Sequence, residues 1–330
     1  MTGVYRRLVK SEHRNLHDLD SVLVDDSKYY QEDILVPLSV NYNGSPIYPL
    51  YDSGFEINPE VCSGKNFAPE LLIVVHSANF LIDLRTAIRY TWKHFDKIEN
   101  TVIVFFLGRS DNRTITENVL AESAFFGDIV VSRTFDTYNN LTLKTISMCE
   151  WIDRFCPRAK FVLKADDDIF LNVPLLLDFI RQPEVKSAKR SVFGKLNHGT
   201  GPVRYPDHKF YISPEEYPGD VFLDYMQGAS YLFTGDIAGS LFRTALQMNF
   251  FRMEDIFLTG FVSERIQARK VHVDRFYVLY FEIWHYYTEN NQTYYDVESC
   301  NVKKLIAIHY VSYSDIFALW QRFFTRKVCK

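Results

Sequence analysis

Apolar positions in the first 60 residues follow no sustained period, whereas from Glu70 onward they gather into short continuous runs separated by amphipathic stretches. The run LLIVVHS (71–77) predicts a buried strand, and 83–95 carries the spacing of a helix. The alternation repeats, with strands over 101–108 and 128–131 and helices over 116–126 and 140–155. In the last of these, Leu141, Thr145, Met148, Ile152 and Phe155 fall on one face. KFVLKADDDIFLN (160–172) then drives an apolar strand into three carboxylates. Strands alternating with helices predict an α/β fold with a largely parallel sheet, whose ligands lie at the carboxyl ends of the strands.

Beyond Leu177 the texture is mixed, with short strands, a Gly/Pro loop over 198–206 and helices near 236–248 and 255–269. The organisation expected is an irregular stem or leader over 1–60 and a body over 61–330, whose α/β half (61–180) is followed by a mixed half (181–330). The chain has 330 residues, 47% of them hydrophobic, so it can bury a large core. Its 37 basic and 41 acidic residues leave a net charge of −4, which gives no global attraction to nucleic acid or anionic membranes. Apolar runs at 71–75 and 102–107 are too short to span a bilayer, and no signal-peptide core or membrane anchor is visible near the N-terminus.

Four Asn-x-Ser/Thr sequons, at Asn43, Asn112, Asn140 and Asn291, suit a secretory compartment where exposed. The five cysteines (Cys62, Cys149, Cys156, Cys300, Cys329) form no C-x-x-C pair, so neither a zinc nor a thioredoxin signature is present. Cys149 and Cys156 on one helix would stand about 10 Å apart along the axis, beyond disulfide reach. Bridges, if formed, are long-range.

The acidic triplet is the strongest candidate chemistry. At a strand end Asp166 and Asp168 point one way and Asp167 the other, so two carboxylates share one space. Their repulsion raises a pKa unless a cation compensates, and oxygen ligands favour Mg²⁺ or Mn²⁺ over zinc. An EF-hand starting at Asp166 is excluded, because Phe170 and Leu171 stand where a ligand and the obligatory glycine are needed. The plain alternative is a solvated turn or helix cap.

Further blocks complete the pattern: RTAIRYTW (85–92), DTYNNLTLKT (136–145), KFYISPEEYP (209–218), YMQGASYLF (225–233), MEDIFLTG (253–260) and LIAIHYVS (305–312). With the strand and triplet blocks, and in this order, they make the chain resemble the β1,3-galactosyltransferase and β1,3-N-acetylglucosaminyltransferase family, glycosyltransferase family 31, over roughly 62–311. The resemblance implies a GT-A fold and an inverting transfer of galactose or an N-acetylhexosamine from a UDP-sugar to a glycoprotein or glycolipid glycan. It implies that Asp168, Asp166 and His309 hold Mn²⁺, with Mg²⁺ as the alternative, and that Asp255 is the catalytic base. Asp166 and Asp167 would also face the UDP-sugar, as would Arg85 and Arg89, which share a helical face where guanidinium suits phosphate. The family works in the Golgi lumen, usually behind an N-terminal membrane anchor.

Departures from the family pattern are Met226 and Val262 in place of paired cysteines, and Leu223-Asp224-Tyr225 in place of Pro-Pro-Tyr. They bear on acceptor choice and leave two competitors to weigh. One is a non-catalytic relative that binds glycans or a partner transferase. The other is a metal-dependent phosphohydrolase, which needs a positioned water in place of an acceptor groove.

Overall fold

In the computed structural model the described residues are 35–64, 67–96, 98, 100–276, 278–279 and 303–324. The central sheet grows from the continuous apolar runs. Strand β2 (Leu71–His76) is buried along its whole length and pairs in parallel with β3 (Thr101–Arg109) on one side and β5 (Phe161–Asp166) on the other. Beside β3 lies β4 (Ile129–Phe135), also parallel, so four carboxyl ends open along one edge. Leu71, Ile73 and Val75 enter one core and Leu72 and Val74 the other, as the two-residue period requires.

Antiparallel strands extend this unit. The short β1 (Phe55–Ile57) flanks β4, while β8 (Tyr225–Thr234) runs antiparallel to β5 and to β7 (Ser191–Asn197). Parallel to β7 lies β9 (Arg269–His272). The eight-stranded sheet therefore spans both halves expected from sequence. A second, three-stranded sheet joins β6 (Ile169–Leu171), β11 (Ala307–His309) and β10 (Val278–Leu279).

Helix α1 (Ile82–Tyr90) continues into a 3₁₀ turn at Trp92–Phe95, matching the expected stretch. Asn112 caps α2 (Arg113–Phe126) by accepting from the Ile115 N–H, and Gly127 ends it at φ +65°, a left-handed conformation that favours glycine. In α3 (Leu141–Phe155) burial extends to Thr142 and continuously over 144–152, beyond the single face anticipated. The sheet covers one side and α6 (Ala238–Leu246) packs on another. The N-terminal coil adds further bonds: Ser53 Oγ donates to Glu150 (2.5 Å), Tyr51 donates to the same carboxylate, and Trp151 Nε1 donates to Asn58 (2.7 Å). Residues 35–60 thus carry little regular structure but are bound into the body, with Ile47 fully buried and the Val36 N–H on the Arg265 carbonyl. The helix expected over 255–269 is a π-helix, Ile256–Val262, followed by the short α7 (Ser263–Arg265) before β9 begins.

Cys62 and Cys156 form a disulfide across 94 residues, and Cys149 is a buried thiol. Cys300 and Cys329 lie outside the described residues. A loop of this length restricts the unfolded chain strongly, so replacing both bridged cysteines by alanine is expected to lower stability by about 2–5 kcal/mol. Urea unfolding of the two forms checks this, and equal midpoints would refute it. Asn43 and Asn112 are exposed, whereas Asn140 is half-buried with its amide on the Phe135 carbonyl. Asn291 is outside the described residues.

Candidate active site

The acidic triplet sits where the parallel strands end. β5 closes at Asp166, a tight turn carries Asp167 and Asp168, and β6 leaves in a new direction to pair antiparallel with β11. In that register His309 lies opposite Ile169, and the Val311 N–H binds the Asp168 carbonyl at 3.1 Å. The late histidine is thereby delivered to the triplet. One ligand atom each from Asp166, Asp168 and His309 fall within 4.8 Å of one another, and His309 Nε2 is 3.4 Å from Asp168 Oδ1. Two carboxylate oxygens and an imidazole nitrogen converging at that spacing fit a divalent cation.

Asp167, in the turn, is not part of this group. It is 7% exposed, its Oδ2 has no partner among the described residues, and burial pushes its pKa up to about 7 against the opposing bond from Ser77. Opposite Asp166 across the β2–β5 ladder, His76 is buried and stacked on Phe106, with Nε2 unpartnered. Burial, and then the Lys164 and Lys144 ammoniums, hold its pKa well below the usual range, so the imidazole is neutral. Two buried polar atoms without partners beside the carboxyl edge mark a place where a polar ligand supplies the missing hydrogen bonds.

Lys144 reaches the same edge from α3, donating to the Ser77 carbonyl (2.8 Å) and to Asp136 (2.9 Å). Gly108 approaches that segment so closely that a Cβ there would stand 2.5 Å from the Thr134 carbonyl oxygen.

Asp255 opens the π-helix and accepts from the Ile256 N–H at 2.9 Å. Burial raises its pKa, the Ile256 N–H opposing. Across from it stands Gly228 of β8, where an added Cβ would lie 3.2 Å from Asp255 Cβ. Its neighbour Glu254 is buried, accepts from Tyr231 (2.5 Å) and faces Lys164 at 3.8 Å. Asp166 also has a raised pKa, from burial first, with Lys164 opposing and Asp168 adding repulsion.

Arg85 and Arg89 do not join this group as phosphate ligands. Arg85 is fully buried, and its five N–H groups go to Glu122 (2.9 and 2.7 Å), Ser77 Oγ (2.8 Å) and the carbonyls of Ala78 and Asn79 (2.6 and 3.0 Å). Arg89 is forked on Asp128 (3.0 and 2.8 Å), bonds Glu122 (2.7 Å) and packs on Phe126. All five donors of Arg85 are thus engaged, and Arg89 is held by two carboxylates. Arg85 shapes the 77–79 loop that borders the site.

Residues 83–274 match the Galactosyltransferase family. The chain belongs to that family. Over 290 residues it is 30% identical to β1,3-galactosyltransferase 1 of Mus musculus and of Homo sapiens, covering 87% of this chain and 83% of each relative. It is 35% identical over 203 residues to human β1,3-galactosyltransferase 5, covering 61% of this chain and 64% of that one. Among solved structures, the bifunctional glycosyltransferase WbbM (apo form) aligns with 78% of this chain and 50% of its own at a TM-score of 0.43 and 14% identity. The galactosyltransferase LgtC, crystallised with donor and acceptor sugar analogues, aligns at 0.40 and 9% over 78% and 98%.

The protein is thus a hexosyltransferase with the mixed α/β architecture expected of the GT-A fold. Within this galactosyltransferase-family member, Lys164 is the functional candidate that pattern reading passed over. Its signal was a charged residue inside the apolar run FVLKAD, with both neighbours buried.

Glu254 gives a pH prediction. Burial pushes its pKa up to about 7 from an ordinary 4.5, Lys164 opposing. Between those values the folded form holds a proton that the unfolded chain has lost, so this residue makes stability fall as pH rises. Glu254→Gln is expected to flatten that decline in unfolding free energy between pH 4.5 and 7, and parallel curves for the two proteins would refute the assignment.

Proposed function

We propose that the protein is an inverting β1,3-galactosyltransferase that moves galactose from UDP-galactose onto a glycan of a glycoprotein or glycolipid. The observation that carries this reading is the joint presence, at one sheet edge, of the Asp166, Asp168 and His309 cluster and the half-buried carboxylate of Asp255 against Gly228 of β8. The names of the relatives support galactose as the sugar. A bound Mn²⁺ would supply Lewis acidity to the departing diphosphate. Asp166, Asp168 and His309 are the residues to hold it, and the imidazole nitrogen favours Mn²⁺ over Mg²⁺.

The remaining work falls to this chain's own groups. Asp255 accepts the proton of the acceptor hydroxyl as that oxygen attacks the anomeric carbon, and its raised pKa makes it a stronger base than an exposed aspartate. The orphaned Asp167 Oδ2 is placed to accept a hydrogen bond from a hydroxyl of the nucleotide. Arg85 and Lys144 fix the 77–79 and 136 segments between which that nucleotide would lie. The disulfide supports an oxidising compartment, consistent with a Golgi lumenal site of action.

Turnover of a panel of UDP-sugars with Mn²⁺ and with EDTA tests the reading. Metal-dependent transfer from UDP-galactose is the expected result. Donor binding with no transfer to a broad acceptor panel would instead mark a non-catalytic relative, and release of free sugar without acceptor would mark a hydrolase.

A further inference from the structure

We propose that Lys164 is a positioning residue whose single ammonium group links the metal-ligating Asp166 to the segment that carries the base. The inference rests on the functional reading above and assigns a role within that site.

Lys164 lies in β5 and is only 3% exposed. Nζ donates to Asp166 Oδ1 at 2.6 Å and to the Gly228 carbonyl at 2.6 Å, and stands 3.8 Å from Glu254 Oε2. Two hydrogen bonds and one longer ion pair thus reach three different segments. The first is the end of β5, which bears the candidate metal ligand. The second is β8 at Gly228, whose missing side chain lets Asp255 close against the strand. The third is Glu254, next to Asp255 in sequence and held on its far oxygen by Tyr231, the residue paired with Lys164 across the β5–β8 ladder.

An ammonium is not buried for packing, because an apolar side chain of similar length fills the space without desolvating a charge. The charge is retained because two carboxylates face it. Asp166 gives Oδ1 to Lys164 and also offers a ligand atom to the cluster with Asp168 and His309. Lys164 thereby sets the orientation of Asp166 relative to Asp255, and misplacement of reacting groups by about 1 Å can lower a rate roughly 10²-fold.

The test is Lys164→Met in the full chain. Turnover at saturating Mn²⁺, donor and acceptor is expected to fall at least about 30-fold, within the range that misplacement produces, with both KM values nearly unchanged. Mn²⁺ affinity, followed by electron paramagnetic resonance without donor, is expected to hold or tighten, because a cation beside the cluster has been removed. A purely structural role predicts the opposite pattern, with weaker metal binding, a larger unfolded fraction and unaltered turnover per folded molecule. Unchanged kcat, or a loss explained by KM or by unfolding, overturns the proposal. Should Lys164→Met fail to fold, Lys164→Gln, which keeps a polar donor but is too short to hold Asp166 and the Gly228 carbonyl together, takes its place, and a kcat equal to wild type in that variant overturns the proposal as well. A wild-type chain that transfers no sugar fails the functional reading and the proposal together, whereas an active wild type with an equally active Lys164→Met fails the proposal alone.

Discussion

Replacing Asp255 by asparagine is expected to lower the rate of sugar transfer by about 10²- to 10⁴-fold, the usual contribution of a positioned general base. The substitution is nearly isosteric, and its side-chain oxygen can still accept from the Ile256 N–H now bonded at 2.9 Å. The π-helix keeps its other anchor too, since Thr259 Oγ1 donates to the backbone carbonyl of residue 255 at 2.6 Å. Folding should therefore survive, and so should donor binding, because the candidate metal cluster is built from other residues. What is lost is the ability to take a proton. Single-turnover transfer set against donor affinity separates the two effects. A second signature lies in the pH profile. Wild-type transfer needs ionised Asp255, so its rate should fall with acidification through that residue's raised pKa. The variant should lack this acid limb, and a variant within tenfold of wild type with the limb intact would remove Asp255 from the base role.

The parts of this site that the sequence discloses are those encoded locally. Continuous apolar runs announce strands buried on both faces, and the Asp triplet at the end of one announces the catalytic edge, because strand termini in such sheets are open to ligands. The strand itself ends at Asp166, and a turn, not a pleat, carries Asp167 and Asp168, with Asp168 in the cluster and Asp167 outside it. His309 is different in kind. Only the β6–β11 pairing brings it to Asp168, and no spacing rule foretells that register, so family resemblance was needed to find it.

Other features escaped because they depend on what side chains meet after folding. Arg85 and Arg89 present the right spacing for phosphate, but Glu122 and Asp128 arrive from elsewhere in the chain and pair with them. The burial of α3 on several sides arises from the irregular 35–60 coil, whose bonds to Glu150 and Trp151 have no periodic signature. Lys164 looks like an interruption of an apolar strand until β8 and the Glu254 segment close over it. In each case a polar residue in an apolar context was readable, while the partner that gives it meaning was not.

Arg85→Met is the substitution expected to cost the most stability, about 3–5 kcal/mol, the range for removing one partner of a buried ion pair. Glu122 keeps a bond from Arg89 at 2.7 Å, which limits the loss at the carboxylate. The Ala78 and Asn79 carbonyls and the Ser77 hydroxyl have no such reserve from Arg89 and forfeit the donors that now order them. Arg85→Lys should recover little, since a point charge with three donors cannot reproduce a planar fork with five. Denaturant unfolding reads the effect directly as a lower midpoint with an unchanged slope. Donor KM should rise as a secondary consequence, because the loop that Arg85 holds borders the nucleotide edge. The two roles considered for this arginine part company here. A phosphate ligand would raise KM and leave stability within about 0.5 kcal/mol of wild type, as surface substitutions do. The buried fork on Glu122 predicts that the midpoint moves first and furthest.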